Sequence, residues 1–282
     1  MDWLLELVHT KIPVGKTAKA VFDWLKLHAG GLFDAVSAGM QAMIDAILWS
    51  LETPYPAVII ALAVALTWYL QRSWKISLLV LAGFLFILNQ GYWAPTMESL
   101  TLILASCVVC MGIGVPVGIA AAHRPRLYAW MRPVLDLMQT LPTFVYLIPA
   151  IVFFGIGMVP GLIATVIFVL PAPIRLTHLG ISSTPKALVE AATAFGATPR
   201  QLLWKVELPS ALPQIMAGMN QTIMLSLSMV VIAALVGASG LGVPVVRALN
   251  SVNTALGFES GIIIVVVAIM LDRMLRVRGR HD

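Results

Sequence analysis

Seven apolar runs divide the chain, at 56–71, 76–91, 98–122, 134–155, 160–180, 210–237 and 259–275. Each is read as a helix crossing about 30 Å of hydrocarbon, the first two being short for that task. Ahead of them, Leu32, Phe33, Val36, Met40, Met43, Ile44, Ile47 and Leu48 recur at helical spacing, with Asp34, Gln41 and Asp45 elsewhere on the wheel. That pattern predicts an amphipathic helix lying on the membrane surface, within a tail (1–54) that has no span of its own. The tail begins with acidic residues and short apolar runs, so no cleavable leader is expected. One stretch between the fifth and sixth runs, 184–209, is too polar to be a span. There Thr184 is placed as N-cap with Pro185 after it, and Leu188, Ala191, Ala192 and Phe195 fall on one helical face. Gly196 ends that helix; Thr198 and Gln201 then have the spacing of a capping box, and a second short helix is expected to run to Leu208 and stop at Pro209.

Composition agrees with the pattern. Of 282 residues 60% are hydrophobic and 11% charged, where a soluble domain has about a quarter charged. An all-α integral membrane protein follows: a multi-pass domain over 55–282 and the tail before it. The net charge of +5 does not point to nucleic acid, because the basic residues sit in short clusters between apolar runs. Arg72 and Lys75, then His123, Arg124, Arg126 and Arg132, then Arg175, Lys186, Arg200 and Lys205, and last Arg273, Arg276, Arg278 and Arg280 mark one side. The opposite loops, near Tyr92, near Gly157 and over 238–258, carry Arg247 alone. The expectation is a multi-pass membrane protein with its C-terminus and the 184–209 loop cytoplasmic, and an extracytoplasmic tail whose Asp2, Glu6, Asp23, Asp34, Asp45 and Glu52 outnumber Lys11, Lys16, Lys19 and Lys26.

Chemistry-bearing residues are sparse. Cys107 and Cys110 lie inside an apolar run with no further ligands nearby, which reads as packing and not as a metal or redox site. Gly15-Lys16-Thr17 resembles the end of a phosphate-binding loop, but Thr10 stands where its first glycine belongs. An intramembrane enzyme would need Asp136, His123 or His178, and no paired carboxylates or metal spacing joins them; no catalytic residue is assigned. Polar residues inside the runs have two readings. Gln139, Thr143 and Tyr146 in the fourth, with Asn220, Gln221 and Ser228 in the sixth, either line a water-filled path for a polar solute or hydrogen-bond between helices. Pro116, Pro142, Pro149, Pro171 and Pro173 interrupt the runs, and the pairs Gly114/Gly118 and Gly157/Gly161 allow helices to approach closely.

The order Glu190-Ala191-Ala192, three residues, Gly196, nine residues, Val206, one residue, Leu208-Pro209 resembles the EAA loop of permease subunits in ABC-type importers, with Val206 in place of isoleucine. Over 97–273 the chain resembles one branch of these, the glycine betaine/proline and choline importers, on LDLMQTLPTFVYLIPAIVFFGIGMVPGLIATVIFVLPAPIRLTHLGI and EAATAFGATPRQLLWKVELPSALPQIMAGMNQTIMLSLSMVVIAALVGASGLG. The resemblance implies a type I ABC importer permease fold. It makes 184–209 a coupling loop that docks on a cytoplasmic ATPase through Glu190, Ala191, Ala192, Phe195, Gly196, Leu208 and Pro209. It also implies a second copy of the chain, an extracytoplasmic substrate-binding protein, and ATP and Mg bound by the partner, with no cofactor in this chain. The solute expected is choline or a related betaine, and the lack of a long acidic extension before the first run resembles the choline-specific members. A permease for an amino acid, proline or sulfonate is the alternative, with an enzyme or passive channel behind it.

Overall fold

The computed structural model describes residues 13–275. Asp2, Glu6, Thr10 and Lys11 of the tail, and Arg276, Arg278 and Arg280 at the end, lie outside the described residues. Every regular element among the described residues is helical: α1 (Val14–Glu52), α2 (Pro56–Gln71), α3 (Trp74–Asn89), α4 (Trp93–His123), α5 (Pro125–Thr140), a 3-10 turn (Thr143–Tyr146), α6 (Leu147–Phe154), α7 (Met158–Val169), α8 (Pro171–Ser182), α9 (Lys186–Ala194), α10 (Pro199–Leu202), a π-turn (Leu203–Glu207), α11 (Leu208–Ala234), α12 (Gly242–Ser251) and α13 (Thr254–Leu275).

The expected count of seven spans is not met. Among the described residues five helices are long and apolar enough to cross a membrane, or six if the bent pair of α5 with the 3-10 turn and α6 counts as one span. The first two expected spans, α2 and α3, are 16 residues each, which at about 1.5 Å per residue rise only ~24 Å. The fourth expected span is broken: its two halves meet at 105°. Proline explains the break. Pro142 forces Leu141 out of the helical region (φ −65°, ψ 136°), and Pro142 itself is extended, so two non-helical residues separate the halves. Pro116, by contrast, lies inside a continuous 31-residue α4, and Pro171 opens α8 without ending the 25-residue run Met158–Ser182.

The tail helix is longer than expected and is not simply laid on a surface. α1 runs for 39 residues and is itself long and apolar enough to be a span, which revises the reading of a tail without one. Ile44 is buried in a cluster with Val159, Leu162 and Ile163 of α7, flanked by Met40, Met43 and Ile47. Phe22 and Phe33 close on Phe153 of α6, with ring centroids 5.4 and 4.5 Å away. Leu32 remains exposed.

At the centre, α8 is held between α4 and α11. Glycine makes this possible: a Cβ at Gly118 would stand 2.7 Å from the carbonyl oxygen of Ile174, and one at Gly180 would stand 3.1 Å from that of Ala211. Gly114 does the same opposite Pro173. The other expected pair separates into two roles: a Cβ at Gly161 would meet Ala233 and Ala238, whereas one at Gly157 (φ +141°) would meet nothing, and Gly157 serves the turn, its N–H donating to the Val236 carbonyl (2.9 Å). Three hydrogen bonds then pin α4 to the α11 segment along its length. The Leu241 N–H donates to Ser99 Oγ (2.8 Å), Ser106 Oγ donates to Ser226 Oγ (2.7 Å), and His123 Nε2 meets Glu207 Oε2 (2.9 Å).

Candidate coupling elbow and solute path

The elbow between α8 and α11 forms much as its residues dictate. α9 spans Lys186–Ala194, and Gly196 turns the chain with φ +80°, a conformation that costs an ordinary residue about 1–2 kcal/mol. Thr198 accepts from the Gln201 N–H while the Gln201 side chain accepts from the Thr198 N–H, so the capping box is complete. Two details differ from expectation. Thr184 does not cap α9: its Oγ1 is buried without a hydrogen-bond partner among the described residues, and Pro185 occupies the N-cap. Pro209 does not stop the second helix. The chain passes through the π-turn, where the Leu208 N–H reaches back to Leu203, and continues as one helix from Pro199 to Ala234. The widened turn takes up the ring and the missing donor that would break a regular α-helix.

No residue of α9 is buried. Leu188 and Ala191 are exposed, Ala192 is half-buried, Glu190 is free in solvent, and Phe195 is 94% exposed. The ordered elbow thus leaves an apolar face uncovered. Leu208 differs, packing inward against the cluster of Ile181, Ala211 and Ile215. Pro209 is exposed.

One buried carboxylate escaped the sequence reading. Glu207 lies in the π-turn and pairs with His123 at the end of α4, whose Nδ1 meets the carbonyl of Ile119 at 2.9 Å. The signal was available, since it is the sole acid between Lys205 and Pro209, but the partner is 84 residues away. Nearby, Arg175 of α8 pairs with Asp136 of α5 at 2.5 Å, and His178 stacks on Tyr128 with centroids 3.6 Å apart. The three residues an enzyme would have used are thus each engaged with a different partner.

The basic clusters gather at one end. Gln71, beside Arg72, donates to the carbonyl of Met274, next to Arg273 but one residue on; His123, beside Arg124, reaches the π-turn that holds Lys205. At about 1.5 Å per residue the 31 residues of α4 put this end ~46 Å from the other. There, Tyr92, Glu98, Ser239 and Arg247 line one pocket.

The path candidates are not all alike. Gln221 and Ser228 are exposed on α11, and Gln214 continues their stripe one heptad earlier. Asn220 is half-buried and its Oδ1 has no partner among the described residues. Gln139 and Thr143 flank the break after α5, both half-buried. Tyr146 is buried and its hydroxyl donates to the carbonyl of Met138, clamping the two halves of the bend. Cys110 is buried in the core, its thiol facing the carbonyl of Val166.

Comparison with known proteins agrees with this architecture. The chain is 46% identical over 264 residues to the glycine betaine transport system permease protein OpuAB of Bacillus subtilis, covering 94% of this chain and 93% of that one. It is 42% identical over 283 residues to the glycine betaine/proline betaine transport system permease protein ProW of Escherichia coli, covering 97% and 77%. A solved structure of the MetNI methionine ABC transporter in an inward-facing conformation superimposes with a TM-score of 0.58 at 25% identity, covering 65% of this chain and 94% of the matched one. The family described as "Binding-protein-dependent transport system inner membrane component" matches residues 114–277. A helical bundle with an uncovered elbow at its basic end, matched over more than half its length by that description, belongs to the family of binding-protein-dependent transport system inner membrane components.

Proposed function

We propose that the chain is the translocation subunit of an ATP-driven importer for glycine betaine or a closely related quaternary ammonium solute. The observation that carries this is the uncovered face of Leu188, Ala191 and Phe195 beside Glu190, on an elbow whose continuation is pinned to α4. A cytoplasmic ATPase docked on that face moves the elbow, and the motion reaches the bundle through α11. An extracytoplasmic binding protein delivers the solute at the opposite end. The two relatives named above, 46% and 42% identical to this chain, carry glycine betaine in their names, whereas a choline permease, OpuBD of Bacillus subtilis, matches at 36% over 58% of this chain. The betaine reading is therefore preferred to the choline reading drawn from the short tail.

Two copies assemble around the polar stripe of Gln214, Gln221 and Ser228, because a row of amides and hydroxyls facing hydrocarbon is costly unless water or another helix covers it. Asn220, Gln139 and Thr143 complete the candidate path. The basic end is cytoplasmic by the Lys/Arg rule, and the C-terminus with it; ATP and Mg are bound by the ATPase.

Reconstitution of the permease with its ATPase and binding protein tests the proposal. Glycine betaine is expected to stimulate ATP hydrolysis and to accumulate in the vesicles. Glu190→Lys should leave the subunit in the membrane but abolish the stimulation. Normal uptake by that variant at equal expression, or stimulation by an amino acid and not by betaine, would overturn it.

A further inference from the structure

The pocket at the end opposite the elbow has a composition that neither the fold nor the coupling mechanism requires. It encloses ≈390 Å³, inside the range of about 300–1,000 Å³ typical of small-molecule sites. Its walls come from the start of α4 and from the turn and helix that follow α11. Glu98 is half-buried there and carries no hydrogen bond or ion pair among the described residues. Arg247 lines the same space, and no ion pair joins the two, so a carboxylate and a guanidinium share one cavity more than 4.0 Å apart. Leaving the half-buried Glu98 carboxylate unmatched is unfavourable in its partly desolvated setting.

The Tyr92 ring forms part of the wall, and burial, with the Glu259 carboxylate as charge and hydrogen-bond acceptor, raises its phenol above the ordinary range. The phenol therefore stays neutral and its ring keeps an electron-rich face. An aromatic face beside carboxylates holds a cation that has no hydrogen-bond donors, because attraction comes from the ring quadrupole and from unscreened charge. A guanidinium across the cavity holds a carboxylate.

We infer that this pocket is a solute site of the permease itself, taking a small zwitterion with its quaternary ammonium against Tyr92 and Glu98 and its carboxylate at Arg247. The inference rests on the betaine reading above and deepens it: the permease receives the solute at a site of its own before the central path opens. Choline, which has the ammonium group and no carboxylate, uses only the Tyr92 and Glu98 side.

Binding of radiolabelled glycine betaine and of radiolabelled choline to the purified permease–ATPase complex in nanodiscs, without binding protein, tests this. The wild-type complex should bind both saturably. Glu98→Gln should weaken both by about tenfold, the scale of one partly desolvated cation contact. Arg247→Gln, at an exposed position, should weaken betaine by a similar factor and leave choline unchanged. Absence of saturable betaine binding, wild-type affinity in both variants, or equal loss of both ligands in Arg247→Gln would each overturn the site. Uptake with the binding protein present separates the two levels. A complex that imports betaine but binds none alone refutes the site and leaves the proposed function standing, whereas one that imports no betaine refutes the proposed function.

Discussion

Gly118→Ala places one methyl group where two helices leave no room. The new Cβ would lie 2.6 Å from Thr177 Cβ and 2.7 Å from the carbonyl oxygen of Ile174, against ordinary contacts of about 3.5–4.0 Å. The second neighbour is backbone, so no rotamer change can yield; α8 must move away from α4 by roughly 1 Å. Overpacking of this size costs about 1–3 kcal/mol. Gly112→Ala on the same helix is the control, since nothing lies within 4 Å of its added Cβ and exchanging glycine for alanine in a helix gains up to ~1 kcal/mol. That gain is common to both variants, so they should differ by the overpacking cost of about 1–3 kcal/mol, or on the order of 2–12 °C in melting temperature. Thermal unfolding read by a thiol-reactive dye suits the protein, because Cys110 is buried and Cys107 is half-buried until the bundle opens. Because α8 leads into α9, the displaced helix should also lower solute-stimulated ATPase activity. If Gly118→Ala melted at or above Gly112→Ala, the close α4–α8 contact would be refuted.

Other variants probe the remaining joints. Gly196→Val forces a β-branched residue to φ +80°, and should raise basal ATP hydrolysis relative to solute-stimulated hydrolysis without loss of membrane insertion; an unchanged ratio would show that the bend is dispensable. Thr198→Ala removes the capping box at a cost of about 1 kcal/mol, which faster amide exchange over 200–203 would report and unchanged exchange would exclude. Ser106→Ala should cost only about 0.6 kcal/mol, a typical value between membrane helices, because Ser226 keeps its bond to the Thr222 carbonyl; a loss of several kcal/mol would mean that this contact does much more than hold two helices. Tyr146→Phe frees the Met138 carbonyl and should cost about 1 kcal/mol while increasing protease cleavage near 141–143. Wild-type resistance would show that the clamp is not needed.

Local chemistry was the most legible part of this chain. Gly196 and the Thr198/Gln201 box were readable because a left-handed turn and an N-cap each depend on residues within one helical turn. The proline break at Leu141-Pro142 was visible as a proline but not as a 105° bend, since Pro116 and Pro171 look the same in sequence and are carried through. What separates them is tertiary support, which no local pattern contains. The role of Glu207, the burial of Ile44 on α1 and the convergence of Glu98 with Arg247 all depend on partners far along the chain. Arg247 was conspicuous as the lone basic residue of its side, but sequence offered no way to see that Glu98 would share its cavity.

The unbroken run from Pro199 to Ala234 makes this crossing one continuous rod, and a rod carries a tilt from one end to the other. Thirty-six residues at about 1.5 Å each reach ~54 Å, so a tilt of about 5° about the midpoint displaces both tips by ~2.4 Å in opposite directions. A regular stop at Pro209 would have absorbed that tilt in a hinge. With the π-turn in place, a tilt applied at the elbow end is carried to the Ala234 end of the same helix, where the turn through Gly237 begins.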